Sequence, residues 1–450
     1  MVLDPSCAPE PRRKYVIDRY VCPAMAEIWT EEATLTRWVS VESLVARVQA
    51  EHAVIPAEVA ETIAGTPAPS ITDVREAERT RDHEVLSFLA AWTSAMPDES
   101  ARWVHHGLTS YDLVDTGLGL AMRDAVDLIL SAVRDLYRVL ARRALEHWDT
   151  ICVGRTHGIH AEPIRFGHKL AVHAFAMDRS LARLSAVRHS VAVGTISGAV
   201  GTYATTTPAV EAEVLARLGL TPEPAPTQVV ARDRHAELVA SLAVLGASVE
   251  QLALELRLLQ RTEVAEVEEP RTSAYQGSSA MPHKRNPTTS ERLCGLARLL
   301  RANVGAALED VALWHERDLA HSSVERVILP DSCNLAYYQV TSAAELVEGL
   351  VVNADRMADN LDATHGRIFS AQAYLHMTRA GVERELAYRT VQKASLRSLQ
   401  EGTSFAEELR KDGIAFDETA LDPKVFLEDE GVVRARLEER LRDVAEEATP

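Results

Sequence analysis

The stretch LVASLAVLGASVEQLALELRLL, residues 238–259, decides the fold. Within it Leu238, Leu242, Leu245, Val249, Leu252, Leu256 and Leu259 step by four and three, the spacing that lines apolar side chains along one face of an α-helix. Outward from it, the same step recurs at Met122, Val126, Ile129, Val133, Leu136 and Leu140, and again at Leu170, Ala174, Met177, Leu181 and Leu184. Several such seams in one chain require long helices packed nearly parallel, within a subunit or between subunits. No run of alternating apolar and polar residues competes with them, and no internal repeat is present. The expected fold class is all-α, with three helical domains around a central long-helix bundle.

At 450 residues the chain exceeds what one core usually serves. The long seams run between about Thr109 and Leu361, which predicts an N-terminal helical domain at 1–108, the bundle at 109–361 and a C-terminal helical domain at 362–450. Gly and Pro interrupt the pattern at 65–69, 194–201, 221–226 and 270–287. With 46% apolar and 25% charged residues the composition is that of a globular protein. The formal net charge of −18 repels phosphate backbones, which argues against nucleic acid as a partner and leaves any anionic ligand to local arginines. Cys7, Cys22, Cys152, Cys294 and Cys333 are scattered and never spaced C-x-x-C, as expected in a reducing compartment without disulfides or a zinc cluster. No apolar leader opens the chain and nowhere do eighteen apolar residues follow one another, so no membrane partner and a cytoplasmic location are expected.

Two polar segments between the helices carry chemistry. QGSSAMPHKRNP, residues 276–287, sets glycine, two serines and three basic side chains in one connector. Backbone amides and hydroxyls there can surround a carboxylate, with Lys284 as a point charge and Asn286 as an amide donor. The alternative is a capped interhelical turn. GRTHGIHAEPIRFG, residues 154–167, places His157 and His160 three apart just ahead of a seam. Metal binding finds no carboxylate or cysteine nearby to complete a ligand set, so no metal is expected; core or capping histidines are the other plain reading.

GSSAMPHKRNP closely resembles the signature of the fumarase/aspartase superfamily, in the form typical of adenylosuccinate lyases, and GRTHGIHAEP is similar to the same family's second motif. The resemblance implies β-elimination from a substituted succinate with release of fumarate, no cofactor, and a homotetramer whose active sites are shared between subunits. It makes Ser278 the general base, His157 the general acid oriented by Thr156, Lys284 and Asn286 the holders of the adjacent carboxylate, and Ser279 a supporting donor. A serine is a poor base in water, so that role needs its alkoxide stabilised by loop amides and positive charge. An imidazole titrates near neutrality and suits protonation of an amine leaving group.

Further stretches match in register: RYVCPAMAEIWTEEA from Arg19, WVHHGLTSYDLVDT from Trp103, SGAVGTYA from Ser197, TQVVARDRHAEL from Thr227 and WHERDLAHSSVERVILPDS from Trp314. By that similarity Arg19 and Tyr20 meet a nucleotide phosphate, with Arg317, Ser322 and Arg326 completing the nucleotide site. Thr109 and Ser110 bind the succinyl carboxylates, Gln228 reaches the polar core of the substrate, and His83 and His105 line the pocket. Taken singly, Thr109-Ser110 reads as a helix cap, Arg317 as a solvated charge and Gln228 as a loop residue. The chain departs from the family at Asp82 and Glu84 in RDHEV, at Tyr111 in place of a small residue, at Arg165 in place of threonine and at Gln276 in place of lysine. These departures touch the pocket wall and spare the acid and base.

Three functions follow. The first is cleavage of adenylosuccinate to AMP and fumarate. The second is a paralogue acting on a smaller amino- or nitro-substituted succinate, and the third a catalytically silent helical scaffold. No P-loop, G-x-G-x-x-G, H-E-x-x-H or nucleophile elbow points elsewhere.

Overall fold

The three seams fall on three of the five longest helices in a computed structural model that describes residues 17–271, 280–413 and 418–446. In chain order, α1 (Glu31–Glu51) and α2 (Glu84–Thr93) precede the long α3 (Ser110–Glu146). A hairpin of β1 (Ile151–Thr156) and β2 (Ile159–Arg165) follows. Then come α4 (Phe166–Val191), α5 (Asp233–Leu259), α6 (Thr288–Glu309) and α7 (Ala320–Glu348). Every seam residue named above is buried, because a stripe at helical spacing can leave water only by packing against a neighbour. The all-α expectation holds. Among the described residues, strands occur only as three two-stranded pairings.

The chain divides into two compact units: Met1–Val133 with Ser180–Ala247 and Gly295–Val340, and Arg134–Arg179 with Ser248–Cys294 and Thr341–Pro450. Each division falls inside one of α3 to α7, so every long helix contributes a stretch to each unit.

The first unit has a core in which Phe88 meets Trp38 edge-on and stacks on Trp92, with ring centroids 5.3 and 5.7 Å apart. Burying an aromatic of that size contributes about 2–3 kcal/mol. Thr30 caps α1, its hydroxyl accepting from the Ala33 N–H at 3.0 Å. Short parallel strands at Val193–Gly194 and Thr221–Pro222 join the ends of two loops.

The second unit holds the hairpin and a set of shorter C-terminal helices around Phe405, Met377, Val391 and Leu409. The hairpin departs from the sequence reading, which found no strand pattern. Neighbouring Cys152 and Val153 are both fully buried, and the register shifts between Gly154 and Arg155. Burial therefore does not alternate, and the period-2 signal is erased. The other described residues at the predicted interruptions, 65–69, 194–201, 221–226 and the flanks of 270–287, are non-helical apart from Gly65 at a helix end. Helix α5 is long and apolar enough to cross a membrane by composition, but half of its apolar stretch is buried inside the protein.

Candidate active site

In the first unit, Thr109 and Ser110 stand at the start of α3, where the turn before the helix is tied down by two buried carboxylates. The backbone N–H of Thr109 donates to Asp112 at 2.8 Å, closing a cap. Asp112 also accepts from the N–H groups of Ser197 and Gly198 at 2.9 and 3.2 Å, so it fastens the SGAVG loop to the helix start. Burial pushes the Asp112 carboxyl up to about 6, against the pull of those N–H donors. His105, at φ +62°, is held by Glu42: its backbone N–H donates at 3.0 Å and its Nδ1 lies 2.6 Å from the other carboxylate oxygen. A carboxylate at Nδ1 leaves Nε2 as the nitrogen free to meet a ligand.

Gln228 and Arg317 come together. The Gln228 amide donates to Ala199 O at 2.9 Å, and its oxygen accepts from Arg317 Nη1 at 2.8 Å, so one side chain joins two loops. Arg317 lies over the ring of Tyr111, 3.6 Å from its centroid. Arg326 is paired with Glu84, one of the residues at which the chain departs from the family. His83, beside it, caps α2 through Nδ1, which accepts from the Leu86 N–H at 3.3 Å. Ser322, Arg326, Glu84 and Tyr111 line one cleft together with Trp29 and Trp38. Tyr20 packs edge-on against Tyr338 at 5.4 Å, and the Asn334 amide clips the 20–22 backbone through Tyr20 O and Cys22 N. Arg19 is exposed in the same short 3-10 turn.

Beneath Tyr111 lies a charged cluster that sequence reasoning missed. Arg232, almost fully buried, makes a two-pronged contact to Asp115 at 2.6 and 2.9 Å and reaches Glu325 at 3.1 Å. His235 and His321 meet the same Glu325 at 2.5 and 3.0 Å. Burial would raise the Glu325 carboxyl, but the two histidines and Arg232 outweigh it and hold it well below the usual range. All these residues sit in stretches that match the family, and His321 and Glu325 are four apart on one helix, yet no spacing rule says that Asp115, Arg232 and Glu325, far apart in the chain, will meet. Asp112 was more accessible, since an acidic residue three after Thr109 is the mark of a capping box.

In the second unit, His157 and Gly158 form the two-residue turn of the hairpin, at φ +55° and +78°, the pair of left-handed residues that a type I′ turn needs. The turn presents His157, and Thr156 before it, to solvent. Below it, Arg155 makes a two-pronged contact to the fully buried Glu266 at 2.6 and 3.1 Å, which anchors β1. His160, paired with Arg155 in the register, is pushed down by burial and then by that arginine. Lys284 is exposed in a turn closed by its N–H to Met281 O at 2.9 Å, and Asn286 is half-buried just ahead of α6. Glu269 caps that helix, accepting from the N–H groups of Thr289 and Ser290 at 3.1 and 2.8 Å. Ser278 and Ser279 lie outside the described residues. No group of three His, Cys, Asp or Glu side chains suited to a metal occurs among the described residues.

A lyase family model matches residues 19–300. The adenylosuccinate lyase of Aquifex aeolicus is 43% identical over 428 residues, 93% of this chain and 98% of that one. The adenylosuccinate lyase of Synechocystis is 46% identical over 398 residues, 88% of this chain and 92% of that one. A solved structure of fumarate lyase from Mesorhizobium superposes with a TM-score of 0.84 at 29% identity, covering 93% of this chain and 98% of the other. Matched over most of its length, this chain belongs to the lyase family and, within it, to the adenylosuccinate lyases.

Proposed function

We propose that this protein is a carbon–nitrogen lyase that cleaves adenylosuccinate to AMP and fumarate, a step of purine biosynthesis. One observation in the structure carries the reading. Gln228 and Arg317, which the family resemblance assigns to different parts of a nucleotide-linked substrate, are hydrogen-bonded to each other beside a cleft lined by Ser322 and Arg326. The names of the relatives support the same substrate.

In this reading Ser278 removes a proton from the succinyl carbon next to a carboxylate, and the electron pair spreads into that carboxylate as a doubly charged form. Lys284 and Asn286 stabilise that charge, with Ser279 as a further donor, where each good donor lowers the barrier by about 3 kcal/mol. The carbon–nitrogen bond then breaks, and His157, oriented by Thr156, gives its proton to the departing nitrogen. Thr109 and Ser110 hold the succinyl carboxylates. Arg19, Tyr20, Arg317, Ser322 and Arg326 hold the phosphate end, and His83 and His105 line the pocket. The active enzyme is a homotetramer with shared sites, in the cytoplasm.

The Glu84–Arg326 pair favours a second reading, a paralogue for a smaller amino- or nitro-substituted succinate, because it neutralises one guanidinium assigned to the phosphate. Fumarate release from adenylosuccinate and from a panel of such succinates separates the two. Efficient release from adenylosuccinate is expected; release only from the small succinates sustains the second reading, and release from none leaves a silent scaffold. Ser278→Ala and His157→Ala should each cut turnover by at least about a hundredfold with folding intact.

A further inference from the structure

The two guanidiniums assigned to the phosphate end stand in different surroundings, Arg326 lining the cleft of the first unit and Arg317 beside it, over Tyr111. Arg326 is already neutralised by Glu84. Arg317 has no carboxylate partner among the described residues: it lies over Tyr111 at 3.6 Å, gives Nη1 to the neutral amide of Gln228, and its buried Nε–H has no acceptor there. The neighbouring Asp318 carboxylate is taken by the N–H groups of Trp314 and Ala320, each at 2.7 Å. Tyr111 itself is fixed. It is only 7% exposed in the first turn of α3, with the His321 ring edge-on at 5.6 Å and Arg232 at 6.0 Å, and Arg232 is clamped by Asp115 and Glu325.

We propose that Tyr111 is a positioning residue that sets specificity for the phosphate end of the substrate, its ring holding the Arg317 guanidinium in place with no carboxylate hydrogen-bonded to it among the described residues. This rests on the nucleotide reading above. A long arginine side chain needs an anchor to present its donors in one geometry, and a carboxylate anchor would cancel the charge. An aromatic face attracts the guanidinium while leaving its in-plane N–H groups directed outward. Arg317 is thus ready for an anion, and the buried Asp115–Arg232–Glu325 cluster packs against the ring it lies on.

The test is calorimetric titration of the full chain with AMP and with adenosine, for the wild type, Tyr111→Leu, Tyr111→Phe and Arg317→Gln. Leucine keeps apolar bulk without the π face, and phenylalanine keeps the face. Tyr111→Leu should weaken AMP by roughly 2- to 30-fold, the range of a cation–π contact, and leave adenosine unchanged. Tyr111→Phe should match the wild type, and Arg317→Gln should reproduce the AMP-selective loss. Unchanged AMP binding in Tyr111→Leu, or equal loss for AMP and adenosine, overturns the proposal. If Tyr111→Leu does not fold, Arg317→Gln decides, because AMP binding equal to the wild type there removes the anchor that Tyr111 is said to hold. A wild type that binds AMP selectively yet releases no fumarate from adenylosuccinate overturns the function proposed above and leaves the role of Tyr111 standing.

Discussion

Glu325 serves three cationic or donor groups at once, so it is the residue whose loss should be felt most. Glu325→Gln leaves buried Arg232 with Asp115 alone and should lower stability by about 3–5 kcal/mol, read as a fall in the urea midpoint. Asp112 gives a pH signature of the opposite kind from a surface ion pair. Its folded-state value of about 6 lies above the ordinary 3.8, so between those values the folded protein binds more protons than the unfolded chain. Its contribution is complete below the ordinary value and is lost as pH rises through about 6. Urea midpoints for Asp112→Asn should therefore be lower throughout and less dependent on pH between 4 and 6 than in the wild type; an unchanged slope would show that Asp112 is not the group titrating. Single residues were legible in the sequence where a local rule exists, as with Thr109 and Asp112. The Glu42–His105 pair and the contacts of Arg232 to Asp115 and Glu325 were not, because tertiary contacts alone create them.

Among elements, the seams were legible in full because a stripe at helical spacing has one physical reading once it is long. The glycines inside those helices carried a message that periodicity cannot register. A Cβ on Gly119 in α3 would run into the backbone carbonyl of Val193, and one on Gly246 in α5 would meet Leu300 and Gln339. Both glycines therefore mark close approach rather than flexibility. Helix propensity alone would make Gly119→Ala stabilising by about 1 kcal/mol. Backbone cannot swing aside as a flexible side chain can, so Gly119→Ala should instead lower the thermal midpoint, and a raised midpoint would refute the close approach. The hairpin around His157 was the element that sequence missed. Its bulge broke the alternation, and His-Gly is a weaker turn signal than Asn-Gly, although both of its residues adopt the left-handed backbone that turn requires.

At the scale of the molecule, the proposed site residues divide between the two units. The nucleotide set from Arg19 to Arg326 belongs to one, and Thr156, His157, Lys284 and Asn286 belong to the other. The proposed tetramer gives that division a consequence that can be measured. Val172, Leu254 and Leu258 stand exposed around a cleft on α4 and α5 in the second unit, apolar surface of the sort that another subunit covers. Light scattering should then return about four times the 49.4 kDa of one chain. If each site draws on more than one subunit, Ser278→Ala and His157→Ala damage different contributions to it. Unfolding the two inactive variants together and refolding them as a mixture should form hybrids in which some sites carry neither substitution. Activity should reappear in the mixture and in neither variant refolded alone. Mixtures that stay inactive, at a mass confirming that hybrids form, would place Ser278 and His157 on one subunit at every site, and the sharing of acid and base between subunits would have to be abandoned.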